Sequence, residues 1–285
     1  MSRIGILTDS TALLGNLSYP GQENVSMIPL RVQADRDIYL DSRDPKLCSQ
    51  LFKTNGRLPV TLPPSVEDFC QAFLSLGQKY QVILTILLSS QLNSAVEKAH
   101  EAASRVKGPT TIHIVDSQTT AAGLGFLVQA AAEAVQKGWD ENHINSLVRG
   151  LIPHVYTVFC LQSLTYLATS GQIDSAQALV GEMLGVIPFY IMEGGRLIPT
   201  QKARSPRHLV DMLHEFVAEF DNLKHVAIVQ GIPPYEQEAR NLRERLYQDI
   251  SPDALSEHSL SLALMSLLGP HSLGVFAMED WDQED

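Results

Sequence analysis

Three times in the first 120 residues an apolar run ends in a cluster of hydroxyl, amide and carboxylate side chains. Ile4-Gly5-Ile6-Leu7 meets Thr8-Asp9-Ser10-Thr11. Residues 82–88 meet Ser89-Ser90-Gln91-Leu92-Asn93-Ser94. Ile112-His113-Ile114-Val115 meets Asp116-Ser117-Gln118-Thr119-Thr120. Each run has strand length, and the unbroken apolar character of 82–88 is that of a central strand buried on both faces. A helical pattern follows the second and third runs and a looser one follows the first, which is the alternation of βαβ units and a parallel sheet. In such a sheet all three polar clusters fall at one edge, the carboxyl ends of the strands, where open α/β sheets bind ligands. Small neutral donors at helix N-termini suit a carboxylate or a phosphate.

Local signals place the other elements. Residues 25–32 read as a strand, with Pro29 marking an end or an edge. The Asp- and Arg-rich stretch 35–44 reads as an exposed loop, and 45–54 as a helix with Pro45 in its first turn. Residues 60–65 form an extended connector. Ser65 and Asp68 make a capping box for a helix whose apolar face is Phe69, Phe73 and Leu76. Helices are predicted over 94–106, 119–137 (closed by Gly138) and 140–150. The pattern changes near residue 155. A strand at 155–161 and short helices at 163–168 and 175–184 come first. A hairpin then turns at Glu193-Gly194-Gly195-Arg196, before a helix at 206–220, a strand at 225–230, a helix at 235–247 and a strand at 273–278. The expectation is an α/β chain. Its N-terminal domain, 1–158, has a parallel sheet with helices on both faces. Its C-terminal domain, 159–285, is α+β with a mainly antiparallel sheet.

Composition and missing motifs exclude whole classes of function. At 285 residues and 45% apolar the chain can build a substantial core. A net charge of -11 gives no electrostatic footprint for nucleic acid. No apolar run is long enough to span a bilayer, and no hydrophobic signal segment opens the chain, so a cytoplasmic protein is expected. Cys48, Cys70 and Cys160 lack metal-ligand spacing and read as core thiols. His208 and His214 are six apart and share no helix face, and neither His-x-x-x-His nor His-Glu-x-x-His occurs, so no metal is expected. Gly123-Leu124-Gly125 lies inside a helical stretch, and with no Walker pattern present no nucleotide or other cofactor is implied. There is no Gly-x-Ser-x-Gly elbow, and nothing couples Ser89 or Ser90 to a histidine, so no residue is assigned as catalytic. Asp9 and Asp116 are each followed by Ser and read as braces for neighbouring turns. The alternative is an enzyme acting on a small phosphorylated or carboxylated substrate at the Asp/Ser edge. It lacks a recognisable acid–base pair.

Six segments in order resemble the DegV family of bacterial fatty-acid-binding proteins. They are Ile6-Leu7-Thr8-Asp9-Ser10-Thr11-Ala12; Thr61-Leu62-Pro63-Pro64-Ser65, like the family's T-S-Q-P-S; Leu88-Ser89-Ser90-Gln91-Leu92-Asn93-Ser94, like I-S-S-x-L-S-G; Val115-Asp116-Ser117; Leu164-Thr165-Tyr166-Leu167 with Gly171-Gln172-Ile173, like L-x-Y-L…G-G-R-I; and Glu193-Gly194 through Lys202-Ala203-Arg204, like D-G…K-x-R. The resemblance implies a non-catalytic protein holding a long-chain fatty acid between two domains, with a fatty acid kinase as a partner in some members. It carries the carboxylate to Thr61, Ser90, Asn93 and the backbone of Ser94. Asp9, Ser10, Ser89, Asp116, Ser117, Gln172, Arg204 and His271 stand in support. The chain departs from the family at Asn93 (usually Ser), Ser94 (usually Gly) and Gln172 (usually Arg). The family's H-x-G-P-G reads here as Leu267-Leu268-Gly269-Pro270-His271, so its His is Leu267 and its last Gly is His271. Loss of that Arg and His bears on kinase cooperation more than on lipid binding.

The residues themselves suit the same ligand class. Each buried methylene is worth about 0.8 kcal/mol, so about a dozen outweigh two or three hydrogen bonds to the carboxylate at roughly 1.5–3 kcal/mol each. The tail supplies affinity and the hydroxyls supply register. Apolar lining is available at residues 183–191, at Phe126 and Leu127, and at residues 260–268.

Overall fold

The structure, a computed structural model, describes residues 3–15, 18–53, 57–185 and 187–280. From the N-terminus, β1 (Ile4–Asp9) and β2 (Val25–Ile28) precede β3 (Arg31–Ala34), β4 (Asp37–Leu40), α1 (Pro45–Phe52) and β5 (Val60–Leu62). Then come α2 (Val66–Gly77), β6 (Val82–Leu87), α3 (Ala95–Arg105), β7 (Thr111–Asp116), α4 (Ala121–Gln136) and α5 (Glu141–Leu151). The rest is β8 (Val155–Leu161), α6 (Thr165–Thr169), α7 (Ser175–Leu184), β9 (Ile187–Glu193), β10 (Arg196–Ala203), α8 (Pro206–Ala218), β11 (Leu223–Gln230), α9 (Glu236–Leu246), β12 (Leu255–Ser259), α10 (Leu262–Leu268) and β13 (Ser272–Glu279). The hairpin prediction covered Val186, which lies outside the described residues.

The chain forms two compact units. One holds the chain up to Leu30 together with Pro63–Val155; the other holds Arg31–Leu62 and Tyr156–Asp280. A single cut at 158/159 does not contain the 31–62 excursion.

In the first unit four strands run parallel in the order β2-β1-β6-β7. β1 and β6 are buried at every residue, because helices cover both faces. α2 packs with α3, and α4 with α5. The Ser65 capping box is complete: Ser65 Oγ accepts from the Asp68 N–H at 3.1 Å and Asp68 Oδ2 accepts from the Ser65 N–H at 2.7 Å.

In the second unit six strands lie in the order β10-β9-β8-β13-β11-β12. β8–β9, β9–β10 and β11–β13 are antiparallel and β11–β12 is parallel. α8 and α9 bury Leu209, Leu213 and Leu242 against Val158, Cys160, Val226, Ile228 and Val275. A second, three-stranded antiparallel sheet, β4-β3-β5, carries α10. Two amides of the first turn of α10 are satisfied from the 31–62 excursion: Leu262 N–H donates to Ser42 O at 2.7 Å and Ala263 N–H to Asp41 Oδ1 at 2.8 Å.

Two readings of residues 25–44 are corrected. The 25–32 strand is two strands in different sheets, divided at Pro29, which has no N–H to continue a ladder. The 35–44 loop contains β4, paired to β3 through a turn whose Asp35 has φ 53°.

Glu182 ties α7 down. Its carboxylate accepts from Ser163 Oγ (2.6 Å), the Leu164 N–H (2.9 Å) and Thr165 Oγ1 (3.3 Å). Partial burial raises its pKa, but these donated bonds outweigh that and hold it below the ordinary glutamate value. A lowered folded pKa contributes stability that is complete above the unfolded value and is lost as pH falls through the folded one. Glu182→Gln is therefore expected to reduce amide-exchange protection across α7 at pH 7, and the wild type to lose the same protection as pH falls below the ordinary glutamate range. Equal protection of α7 in both proteins at pH 7 would contradict the tie.

Candidate functional site at the strand ends

The parallel registers bring the three polar clusters of the first unit to one edge. Thr8 is level with Ile86, and Leu87 with Asp116. Asp9, at the end of β1, is fully buried. Its Oδ1 accepts from the Thr11 N–H (2.9 Å) and Thr11 Oγ1 (2.6 Å), and its Oδ2 from the Leu88 N–H (2.7 Å). The loops after β1 and β6 are thus held by one carboxylate. Asp116, at the end of β7, accepts from the Ser90 N–H (3.2 Å), Ser90 Oγ (2.5 Å) and the Gln118 N–H (3.0 Å). Ser10 Oγ accepts from the Leu30 N–H at 3.0 Å. The Ser89 N–H donates to Thr119 O at 2.8 Å while its Oγ accepts from the Gln91 N–H. Ser117 Oγ donates to Thr119 O at 3.2 Å.

These partners sort the head-group candidates by what each still offers. The hydroxyl proton of Ser90 goes to Asp116, so Ser90 can accept but has none left to donate. Asn93 differs. Its Oδ1 caps the start of α3 by accepting from the Ala95 N–H at 2.8 Å, and its Nδ2 is a buried donor with no partner among the described residues. Ser94 holds the N-cap position of α3 without a side-chain cap bond. An unpaired amide donor therefore stands beside the amide-rich end of an eleven-residue helix, a setting that favours an anion.

The remaining named residues lie in the second unit. Thr61, on β5, donates from Oγ1 to Ala263 O at 2.6 Å, a bond across 202 positions that sequence spacing could not reveal. Its proton reaches a carboxylate only after the side chain rotates away. The Gln172 N–H donates to Leu167 O at 2.8 Å. Arg204 is exposed, and its backbone N–H meets His208 Nδ1 at 3.4 Å. His271 is exposed and accepts from the Gln162 N–H at its carbonyl. Leu267 is buried.

The apolar segments named for the slot divide in two. Phe126, Leu127 and residues 260–268 are buried, whereas Met183 is 79% exposed and Leu184 60%. Sequence reasoning missed Asp41 and Ser42, which seat α10. The Asp-rich composition that suggested a loop was also the signal for a helix-capping role. Burial pushes the Cys48 thiol up to about 11 and Cys160 well above its ordinary value, so neither is a thiolate at neutral pH. Among the described residues no group of three or more His, Cys, Asp or Glu could hold a metal ion, and no helix is long and apolar enough to cross a membrane.

The fold joins a parallel α/β unit, which has an anion-suited strand-end edge, and an α+β unit with a mainly antiparallel sheet. The family model described as "Uncharacterised protein, DegV family" matches residues 3–280, and the chain belongs to the DegV family. The DegV domain-containing protein CPE0304 of Clostridium perfringens is 27% identical over 281 residues, covering 95% of this chain and 97% of its own. A solved DegV family protein from Thermus thermophilus, described by its fatty acid binding, superposes with a TM-score of 0.85 at 25% identity, covering 98% of this chain and all of the other. The Streptococcus pneumoniae Fatty Acid Kinase (Fak) B3 protein, solved loaded with linoleic acid, shares the fold with a TM-score of 0.86 at 17% identity, covering 98% of this chain and all of its own.

Proposed function

We propose that this protein binds a long-chain fatty acid without covalent chemistry and carries it, in the cytoplasm, to or from an enzyme. On the family resemblance that enzyme is a fatty acid kinase. The observation that carries the reading is the buried, unpartnered Nδ2 of Asn93 at the start of α3. A buried donor left unpaired costs about 1–3 kcal/mol, and a carboxylate oxygen supplies the missing acceptor with a charge-assisted bond. The fatty acid binding described for the Thermus thermophilus relative, at 25% identity over nearly the whole chain, supports the ligand class.

The carboxylate is assigned to Asn93 and to the backbone at Ser94, where a side chain replaces the family's Gly. Thr61 is carried over as the family's other head-group position. Ser90 orients the edge through Asp116 rather than by donating. The carrier reading is supported by Asp9 and Asp116, whose carboxylates are engaged in bracing the loops at the strand-end edge. Gln172 and Leu267 stand where the family has Arg and His; Gln172 alters the surface offered to a kinase, whereas Leu267 is buried.

Asn93→Leu removes both the donor and the cap of α3. It is expected to weaken fatty acid binding roughly 10–100-fold, the equivalent of one charge-assisted hydrogen bond. Titration with oleate, monitored by calorimetry, reads the change. Asn93→Asp is the control, since it keeps the capping oxygen and places like charge beside the carboxylate. Both variants are expected to bind weakly, and unchanged affinity in both would put the head group elsewhere.

A further inference from the structure

A second cleft, wholly inside the second unit, has a chemistry unlike that of the strand-end edge. It has a volume of about 320 Å³ and lies between α8 and strands β8, β9 and β10. Its walls include Tyr156, Phe189, Phe216 and Phe220, and Glu215 and Glu219 stand among its lining residues. Tyr156 and Phe220 stack with centroids 3.9 Å apart and planes at 17°, while Phe216 meets Phe220 edge to face at 5.2 Å and 77°. The stack closes the facing sides of Tyr156 and Phe220 to a ligand, and the three rings line the cleft with the sides they do not turn to one another. The Tyr156 hydroxyl donates to Glu279 Oε2 at 2.7 Å, which sets a third carboxylate beside the aromatic wall.

Three features fix the sign of charge this cleft accepts. No Lys, Arg or His is among its lining residues. Glu215 and Glu219 are exposed and have no salt-bridge partner among the described residues. They also occupy the C-terminal end of α8, whose last turn carries no basic residue. A helix C-terminus is the negative pole of the helix dipole, where acidic side chains are unfavourable and cations favourable. Two carboxylates at that pole, beside three packed aromatic rings, form a region of uncompensated negative potential with apolar walls. Aromatic faces attract cations through the ring quadrupole, and most strongly those that shed water easily. A quaternary ammonium group is such a cation, because it has no N–H to satisfy and presents methyl groups to the walls. The volume is within the range of small-molecule sites.

The geometry points to a binding site for a quaternary ammonium group in the cleft formed by Tyr156, Phe216, Phe220, Glu215 and Glu219. The ammonium can belong to a free solute such as choline or to a lipid headgroup, and the two share this recognition chemistry.

The test uses the full chain. Calorimetric titration with choline is compared with titration by 3,3-dimethylbutan-1-ol, which replaces the charged nitrogen by carbon at the same shape. Choline is expected to bind about tenfold tighter or more, as a desolvated cation–π contact with flanking carboxylates predicts. The Glu215→Gln, Glu219→Gln double variant alters two exposed side chains and should melt as the wild type does while losing most of that preference. Phe216→Leu should weaken choline while keeping apolar volume. No binding of choline up to about 10 mM, or equal binding of the two probes, overturns the proposal. So does a preference that survives both the Glu and the Phe substitutions. Retention on phosphatidylcholine vesicles, and not on phosphatidylglycerol vesicles, assigns the ammonium to a lipid; choline binding without such retention assigns it to a solute.

Discussion

Asp9→Ala is expected to cost about 3–5 kcal/mol of stability, although the residue contributes no packed hydrocarbon. Asp9 is fully buried and satisfies two backbone amides and one hydroxyl with its two oxygens. Thr11 and Leu88, the donors, are themselves buried, so no water replaces the lost acceptor without opening the edge. Each stranded donor costs about 1–3 kcal/mol. Asp9→Asn keeps one oxygen and adds an NH2 that must face a donor, so an intermediate loss is expected. Urea unfolding of the three proteins reads the order. An alanine variant within about 0.5 kcal/mol of the wild type, the range of ordinary surface changes, would show that Asp9 does not hold the two loops.

Gly125→Ala is expected to be as damaging for a different reason. A Cβ at residue 125 would stand 1.9 Å from the Leu13 carbonyl oxygen and 2.7 Å from its carbon. Those are backbone atoms, and Leu13 is pinned by donating its N–H to Ala121 O at 3.0 Å. The loop after β1 must therefore move away from α4, at a cost of about 3 kcal/mol or more. That corresponds to roughly 6–12 °C in melting temperature for a chain of this size. Gly108→Ala, where a Cβ would meet nothing within 4 Å, is the matched control and should leave the melting temperature nearly unchanged. A Gly125 variant that melts with the control would contradict the close approach of loop and helix.

Those two residues also show how far sequence reasoning reaches. That Gly123-Leu124-Gly125 lies inside a helix was legible. That the second glycine admits the Leu13 carbonyl was not legible, since the contact spans more than a hundred residues. The parallel strands were readable because β6 is apolar at five of its six positions and β1 opens on Ile4-Gly5-Ile6-Leu7 without a polar side chain, which reflects burial on both faces. β4 was hidden for the opposite reason: Ile38 and Leu40 are each 60% exposed, and the strand is held by pairing to β3 rather than by burial of its own side chains. Within the site, the shared edge of Asp9, Ser90 and Asp116 follows from the pattern alone. The division of labour does not. Ser90 and Asn93 look equivalent as donors in sequence, and only the structure shows that the Ser90 proton is engaged by Asp116 while the Asn93 amide has no partner among the described residues.

Native mass spectrometry of the purified full-length chain tests the central claim most directly. The predicted result is a non-covalent adduct with the mass of a long-chain fatty acid, removed by denaturation, restored by adding oleate and much reduced in Asn93→Leu. A bare mass before and after addition of oleate or palmitate, with no thermal shift from either, would contradict it.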